Sequence, residues 1–101
     1  MKSARVAELG KALGHPARVQ IVELLSRQCE CRGAEVFSEL PLAQSTVSEH
    51  LRVLREAGIV TASPVGTSVV YCLSTDSLRE LGEAVSAYIL SARCCEKGSC
   101  K

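Results

Sequence analysis

Residues 44–73 read Gln44-Ser45-Thr46-Val47-Ser48-Glu49-His50-Leu51-Arg52-Val53-Leu54-Arg55-Glu56-Ala57-Gly58-Ile59-Val60-Thr61-Ala62-Ser63-Pro64-Val65-Gly66-Thr67-Ser68-Val69-Val70-Tyr71-Cys72-Leu73. Val47, Leu51 and Leu54 recur at i, i+4 and i+7, the spacing of one buried helix face. A helix over 43–57 is expected, stopped by Gly58 just past its end, where glycine is favoured. From Ile59 onward the residues are β-prone. Ile59–Ser63 and Ser68–Leu73 read as two strands, with Pro64-Val65-Gly66-Thr67 as the turn between them. Upstream, Val36, Phe37 and Leu40 point a short helix over 34–40 inward, and Pro41-Leu42 makes a tight corner. Two helices across a short corner, the second running into a β-hairpin, form a winged helix-turn-helix.

The flanks complete the order. Val6, Leu9, Ala12 and Leu13 give an amphipathic helix over 3–13, which Gly14-His15-Pro16 breaks. Pro16 suits the first turn of a second helix ending near Arg27-Gln28. Its Val19, Ile21, Val22, Leu24 and Leu25 are apolar on more than one side, which places it centrally. Residues 29–33 read as extended or turn-like. Asp76 is the expected cap of a last helix over 77–92, with Leu78, Leu81, Val85, Tyr88, Ile89 and Ala92 on one stripe. The expected class is mainly α with a small β-hairpin, in the order α-α-α-α-β-β-α.

With 101 residues the chain is one domain, and with only Phe37, Tyr71 and Tyr88 aromatic, its core must be aliphatic. Twelve basic against eleven acidic residues give a net charge of +1, which neither demands nor excludes a polyanionic partner. No apolar run approaches the roughly 20 residues of a membrane span. The first residues lack a signal core, so a cytoplasmic protein with no membrane partner is expected. Six cysteines (Cys29, Cys31, Cys72, Cys94, Cys95 and Cys100) are the anomaly. In a reducing compartment they point to soft metals or redox chemistry.

The outward positions of the 43–57 helix are Gln44, Ser45, Thr46, Ser48, Glu49 and Arg52, short hydrogen-bonding groups ending in a cation. Small polar residues let a recognition helix approach base edges, Gln can read adenine bidentately, and Arg52 with Arg55 suits phosphates. A solvated face of any amphipathic helix would carry the same residues. His50 suits packing or a DNA-side hydrogen bond better than metal binding, and His15 a local turn. Ser48 and His50 are two apart on a helix and do not face each other, so no nucleophile pair forms. No enzyme constellation emerges.

Leu13-Gly14-His15-Pro16-Ala17-Arg18-Val19-Gln20-Ile21-Val22-Glu23-Leu24-Leu25 resembles the opening signature of ArsR-family metalloregulators. Gln44 through Val60 resembles that family's recognition helix and its exit into the wing. The resemblance covers most of residues 5–92. It implies a homodimeric winged-helix repressor, dimerised through its first and last helices. Such a repressor binds an operator of two-fold symmetry and releases it when a toxic metal or metalloid binds. The family usually carries a basic residue at the wing tip, whereas Pro64-Val65-Gly66-Thr67 is neutral.

Three locations compete for the metal. Alignment with the family's third-helix cysteine site puts Arg32, Ala34 and Phe37 at the ligand positions, so that site is missing. Cys29 and Cys31 fall just upstream, as a second candidate dithiol site, a redox pair or a remnant. The family's zinc site on the last helix needs histidine, and this helix offers only Asp76, Glu80 and Glu83. Cys94-Cys95 followed by Cys100 resembles the arsenite sensors whose ligands follow the last helix. Adjacent side chains diverge by about 100° on a helix, so both cysteines reach one ion only where the helix unwinds. Three thiolates suit a soft trivalent centre, whereas zinc would want a fourth ligand. Arg93 and Lys97 favour the thiolate form, and Cys72 reads as a small buried hydrophobe.

The expectation is an As(III)-responsive repressor, with Sb(III) as a second inducer. Residues 1–93 would be the DNA-binding and dimerisation domain and 94–101 the metal-binding tail. A redox or persulfide sensor on the same fold, or a sensor of Cd(II) or Pb(II), is the alternative.

Overall fold

A computed structural model describes residues 3–28 and 31–92. Their order is α1 (Ser3–Ala12), α2 (Pro16–Arg27), β1 (Cys31–Arg32), α3 (Gly33–Glu39), α4 (Gln44–Glu56), β2 (Val60–Val65), β3 (Ser68–Leu73) and α5 (Thr75–Ser91). Each helix starts or stops where local chemistry dictates. His15 caps α2, its Nδ1 accepting the Ala17 N–H at 3.0 Å, and Pro16 occupies the first turn. Gly58 ends α4 with φ +82°, a left-handed conformation open to glycine at little cost.

The core is aliphatic. Leu9, Ile21, Leu25, Val36, Val47, Leu51, Leu54 and Ile59 are essentially inaccessible, so four helices and the root of the wing share one interior. Val36 and Leu40 are buried as expected, while Phe37 is only half-buried. On α2 the burial is one-sided: Ile21, Leu24 and Leu25 are inside, but Val19 stays 40% exposed.

Three features depart from the sequence reading. The wing is a three-stranded antiparallel sheet of order β1-β3-β2, because the stretch before α3 pairs Cys31 with Tyr71 and Arg32 with Val70. The first strand of the hairpin also runs two residues further than expected, to Val65, while β3 keeps the expected Ser68–Leu73. Pro64 and Val65 pair with Val69 and Ser68, leaving a two-residue turn at Gly66-Thr67 with Gly66 at φ +62°. Short turns with positive φ match strand twist. Pro64 fits because β2 is an edge strand and can spare an N–H. Finally, Ser74 and not Asp76 stands at the N-cap of α5. Asp76 lies in the first turn, where the helix dipole favours a carboxylate, and pairs with Arg79 at 2.9 Å.

The apolar stripe on α5 is only half used. Ala84 and Ser77 are buried and Leu78 and Leu81 pack against the core, but Val85, Tyr88 and Ile89 are 44–68% exposed. No helix among the described residues is long and apolar enough to cross a membrane.

Candidate nucleic-acid interface

The inner face of α4 is anchored by Val47, Leu51 and Leu54, and the same periodicity turns Gln44, Ser45, Thr46, Ser48, Glu49 and Arg52 out to solvent. All six expected positions lie exposed on this one short helix. Its N-terminus is open as well. Ala43, at the N-cap, is extended and offers no side-chain cap, and Thr46 N–H bonds back to Ala43 O at 3.0 Å, so the positive end of the helix dipole lies at the exposed Gln44 and Ser45. Groups of this kind suit phosphates and base edges.

His50 differs from the other six. It is half-buried, its Nδ1 accepts from Arg18 Nε at 3.2 Å, and its ring centroid lies 4.4 Å from that of His15. Both histidines therefore use Nδ1 as an acceptor, which puts the proton of each neutral ring on Nε2. Burial, then the neighbouring His15 and Arg18, push the His50 pKa down, against a smaller opposing effect of Glu49. Arg18 also donates to Lys11 O at 3.1 Å, closing the end of α1. One arginine thus ties the recognition helix to α2 and α1, a role that the sequence reading did not assign.

Arg52 is held by its own helix. Its guanidinium bonds Glu49 through two nitrogens and Glu56 Oε2 at 2.6 Å. These bonds lower the Glu49 pKa and raise that of Arg52. A second arginine cluster lies behind the helix. Arg5 of α1 donates to Ala57 O at 2.8 Å, Glu8 at 2.8 Å, Ser77 Oγ at 3.3 Å and Glu80 at 3.2 Å. Ser77 in turn donates to Gly58 O at 2.7 Å. The end of α4 is thereby fastened to both α1 and α5.

The cysteines divide. Cys29, Cys94, Cys95 and Cys100 lie outside the described residues. Cys31 is fully buried, and burial, with Glu35 and Glu39 adding to it, pushes its thiol pKa up. That is the reverse of what a thiolate ligand needs. Cys72 is half-buried, more open than a core residue. Because Cys31 pairs with Tyr71, Cys72 faces the other side of the sheet, and both thiols are free. Among the described residues no group of three or more His, Cys, Asp or Glu side chains could hold a metal ion. Arg32, Ala34 and Phe37 gather on one groove, with no thiol among them.

A polar helix presented across a short corner and flanked by a three-stranded wing defines a winged helix-turn-helix protein. Residues 15–62 match the bacterial regulatory protein, arsR family. The chain is 38% identical over 90 residues to the uncharacterized HTH-type transcriptional regulator Rv0081 of Mycobacterium tuberculosis, spanning 86% of this chain and 79% of that protein. It is also similar to the crystal structure of a possible transcriptional regulator for arsenical resistance (TM-score 0.73, 30% identity, 80% of this chain and 83% of that one). A third likeness is to the homodimeric winged helix-turn-helix domain Mb0332 of Mycobacterium bovis, in solution (TM-score 0.69, 26% identity, 89% and 83%). The chain belongs to the arsR family of DNA-binding transcriptional regulators, which are not enzymes.

Proposed function

We propose that the protein is a homodimeric repressor that binds an operator of two-fold symmetry and releases it when As(III), or Sb(III), binds Cys94, Cys95 and Cys100. One juxtaposition carries the reading: α5, which packs on α1 and is fastened to the end of α4 by Arg5, leads straight into the cysteine tail. The helix ends at Ser91 with Ala92 extended, two residues before Cys94. Three thiolates offer a soft, three-coordinate donor set, the chemistry that trivalent arsenic prefers and zinc does not. The described alternatives supply less, since Cys31 is buried and raised, and Glu80 is engaged by Arg5. The arsenical-resistance name of one structural neighbour agrees with the metalloid assignment.

The dimer follows from the unpartnered stripe of α5. A second copy laid against Val85, Tyr88 and Ile89 would remove them from water, and the Mycobacterium bovis neighbour is homodimeric. In such a dimer Gln44, Ser45, Thr46 and Ser48 of each copy enter successive major grooves, about one helical turn apart. Metal and DNA then oppose each other by linkage: whatever weakens DNA when metal binds weakens metal equally when DNA binds.

The test is anisotropy of a labelled operator titrated with As(III), Sb(III), Cd(II), Pb(II), Zn(II) and, separately, a thiol oxidant. Release by As(III) and Sb(III) at the lowest concentrations is expected. Release by the oxidant alone would replace the metalloid reading with a redox one.

A further inference from the structure

A groove of about 930 Å³ runs between α3, the first residue of α4 and strand β3, with Arg32 and Gln44 in its polar lining and Phe37 and Tyr71 in its apolar lining. We propose that this groove is a second DNA contact: the strand flanking the bases read by α4 lies across it, with one phosphate on the Arg32 guanidinium. The proposal rests on α4 being the base-reading helix.

The argument is one of available charge. A protein on DNA must bring cations to phosphates. Arg52, the cation nearest the reading face, is held by Glu49 and Glu56. Arg18 and Arg5 donate inward, and the turn at Gly66-Thr67 with its flanks Pro64 and Val65 is uncharged. Arg55 has no ion pair among the described residues, but it stands 11 residues from Gln44, about 16 Å along the helix axis. Arg32 is exposed and likewise has no ion pair among the described residues. The nearby Glu35 accepts the Arg32 backbone N–H through Oε1 at 2.9 Å and makes no ion pair with the Arg32 guanidinium. Pairing of Arg32 with Val70 fixes its backbone to the wing sheet, so the guanidinium starts from a rigid base on the groove that Gln44 also lines. Ser68 also lines the groove, and the apolar lining suits deoxyribose between successive phosphates.

Salt titration of the intact protein on its operator and on an unrelated duplex tests this, with Arg32→Gln, Arg32→Lys and Gln44→Ala. Arg32→Gln should weaken both duplexes alike and reduce the slope of log K against log salt by about 0.9 per bound protomer, while Arg32→Lys keeps the slope. Gln44→Ala should weaken the operator alone and leave the slope intact. An unchanged slope for Arg32→Gln, with circular dichroism confirming its fold, overturns the proposal. If that slope falls but Gln44→Ala binds the operator like wild type, the groove contact stands and the base-reading assignment of α4 fails.

Discussion

Glu49, Arg52 and Glu56 lie on one face of α4 and together carry one negative charge toward a polyanion. Removing one acid releases part of Arg52, so Glu56→Gln should tighten operator binding at low salt, with the gain fading as salt screens it. The same titration on Gln44→Ala and Ser45→Ala should show losses of about 1–3 kcal/mol for each base contact removed. Unchanged binding in both would move recognition off α4. His50 gives the pH dependence. Its pKa is lowered in the folded chain, so folding resists its protonation, and the stabilisation is complete above the unfolded value of about 6.5. It is lost as pH falls below that value and through the folded pKa. Urea midpoints measured from pH 7.5 to 5.0 should decline for wild type and decline less for His50→Gln. At this scale the outward set of α4 was readable from periodicity, and the Arg52 pairs follow from i,i+3 and i,i+4 spacing. The Arg18–His50 bond was not legible, because 32 residues separate its partners and only the packing of α2 on α4 joins them.

Among the elements, the recognition helix and the two long wing strands were legible because each holds one period over several residues. Strand β1 was not. Two residues are too few to show alternation, and Cys31-Arg32 becomes a strand only because β3 offers it an edge. That pairing bears on the metal as well. It carries Cys31 into the core, where its thiol is protonated and enclosed. A Cys29→Ser/Cys31→Ala variant should therefore still release operator on As(III) addition. A folded variant that stayed bound at saturating As(III) would shift the metalloid site to the turn before α3. The cap of α5 slipped from Asp76 to Ser74 for a related reason. Both residue types suit a cap, and the choice is made by the Ser74 N–H reaching Ile59 O at 2.7 Å, a tertiary bond that closes the wing onto the helix.

Across the whole molecule, Arg5 is where the first helix, the end of the recognition helix and the last helix meet. Arg5→Met should lower the urea midpoint and also blunt the effect of As(III) on operator affinity, since it removes the side chain that ties α5 to Ala57 at the end of α4. The exposed stripe of α5 makes a parallel statement about assembly. Ile89, 68% exposed in one copy, should be covered in two, so Ile89→Glu is expected to sediment as a monomer and lose high-affinity operator binding. A dimeric Ile89→Glu would place the interface elsewhere. The apolar stripe was visible in the sequence, but which half of it would be covered was not, because periodicity marks a face and only packing decides how far along it the core reaches. The most direct test is operator release by As(III) in wild type and in Cys94→Ser, Cys95→Ser and Cys100→Ser, each first shown to bind DNA. Serine keeps the shape but offers a hard oxygen in place of a soft thiolate. Wild type should leave the operator at stoichiometric As(III), and each variant should stay bound at many-fold higher concentration. Release of all three variants at the wild-type concentration, or a wild type that holds its operator at saturating As(III), would contradict the tail as the sensor.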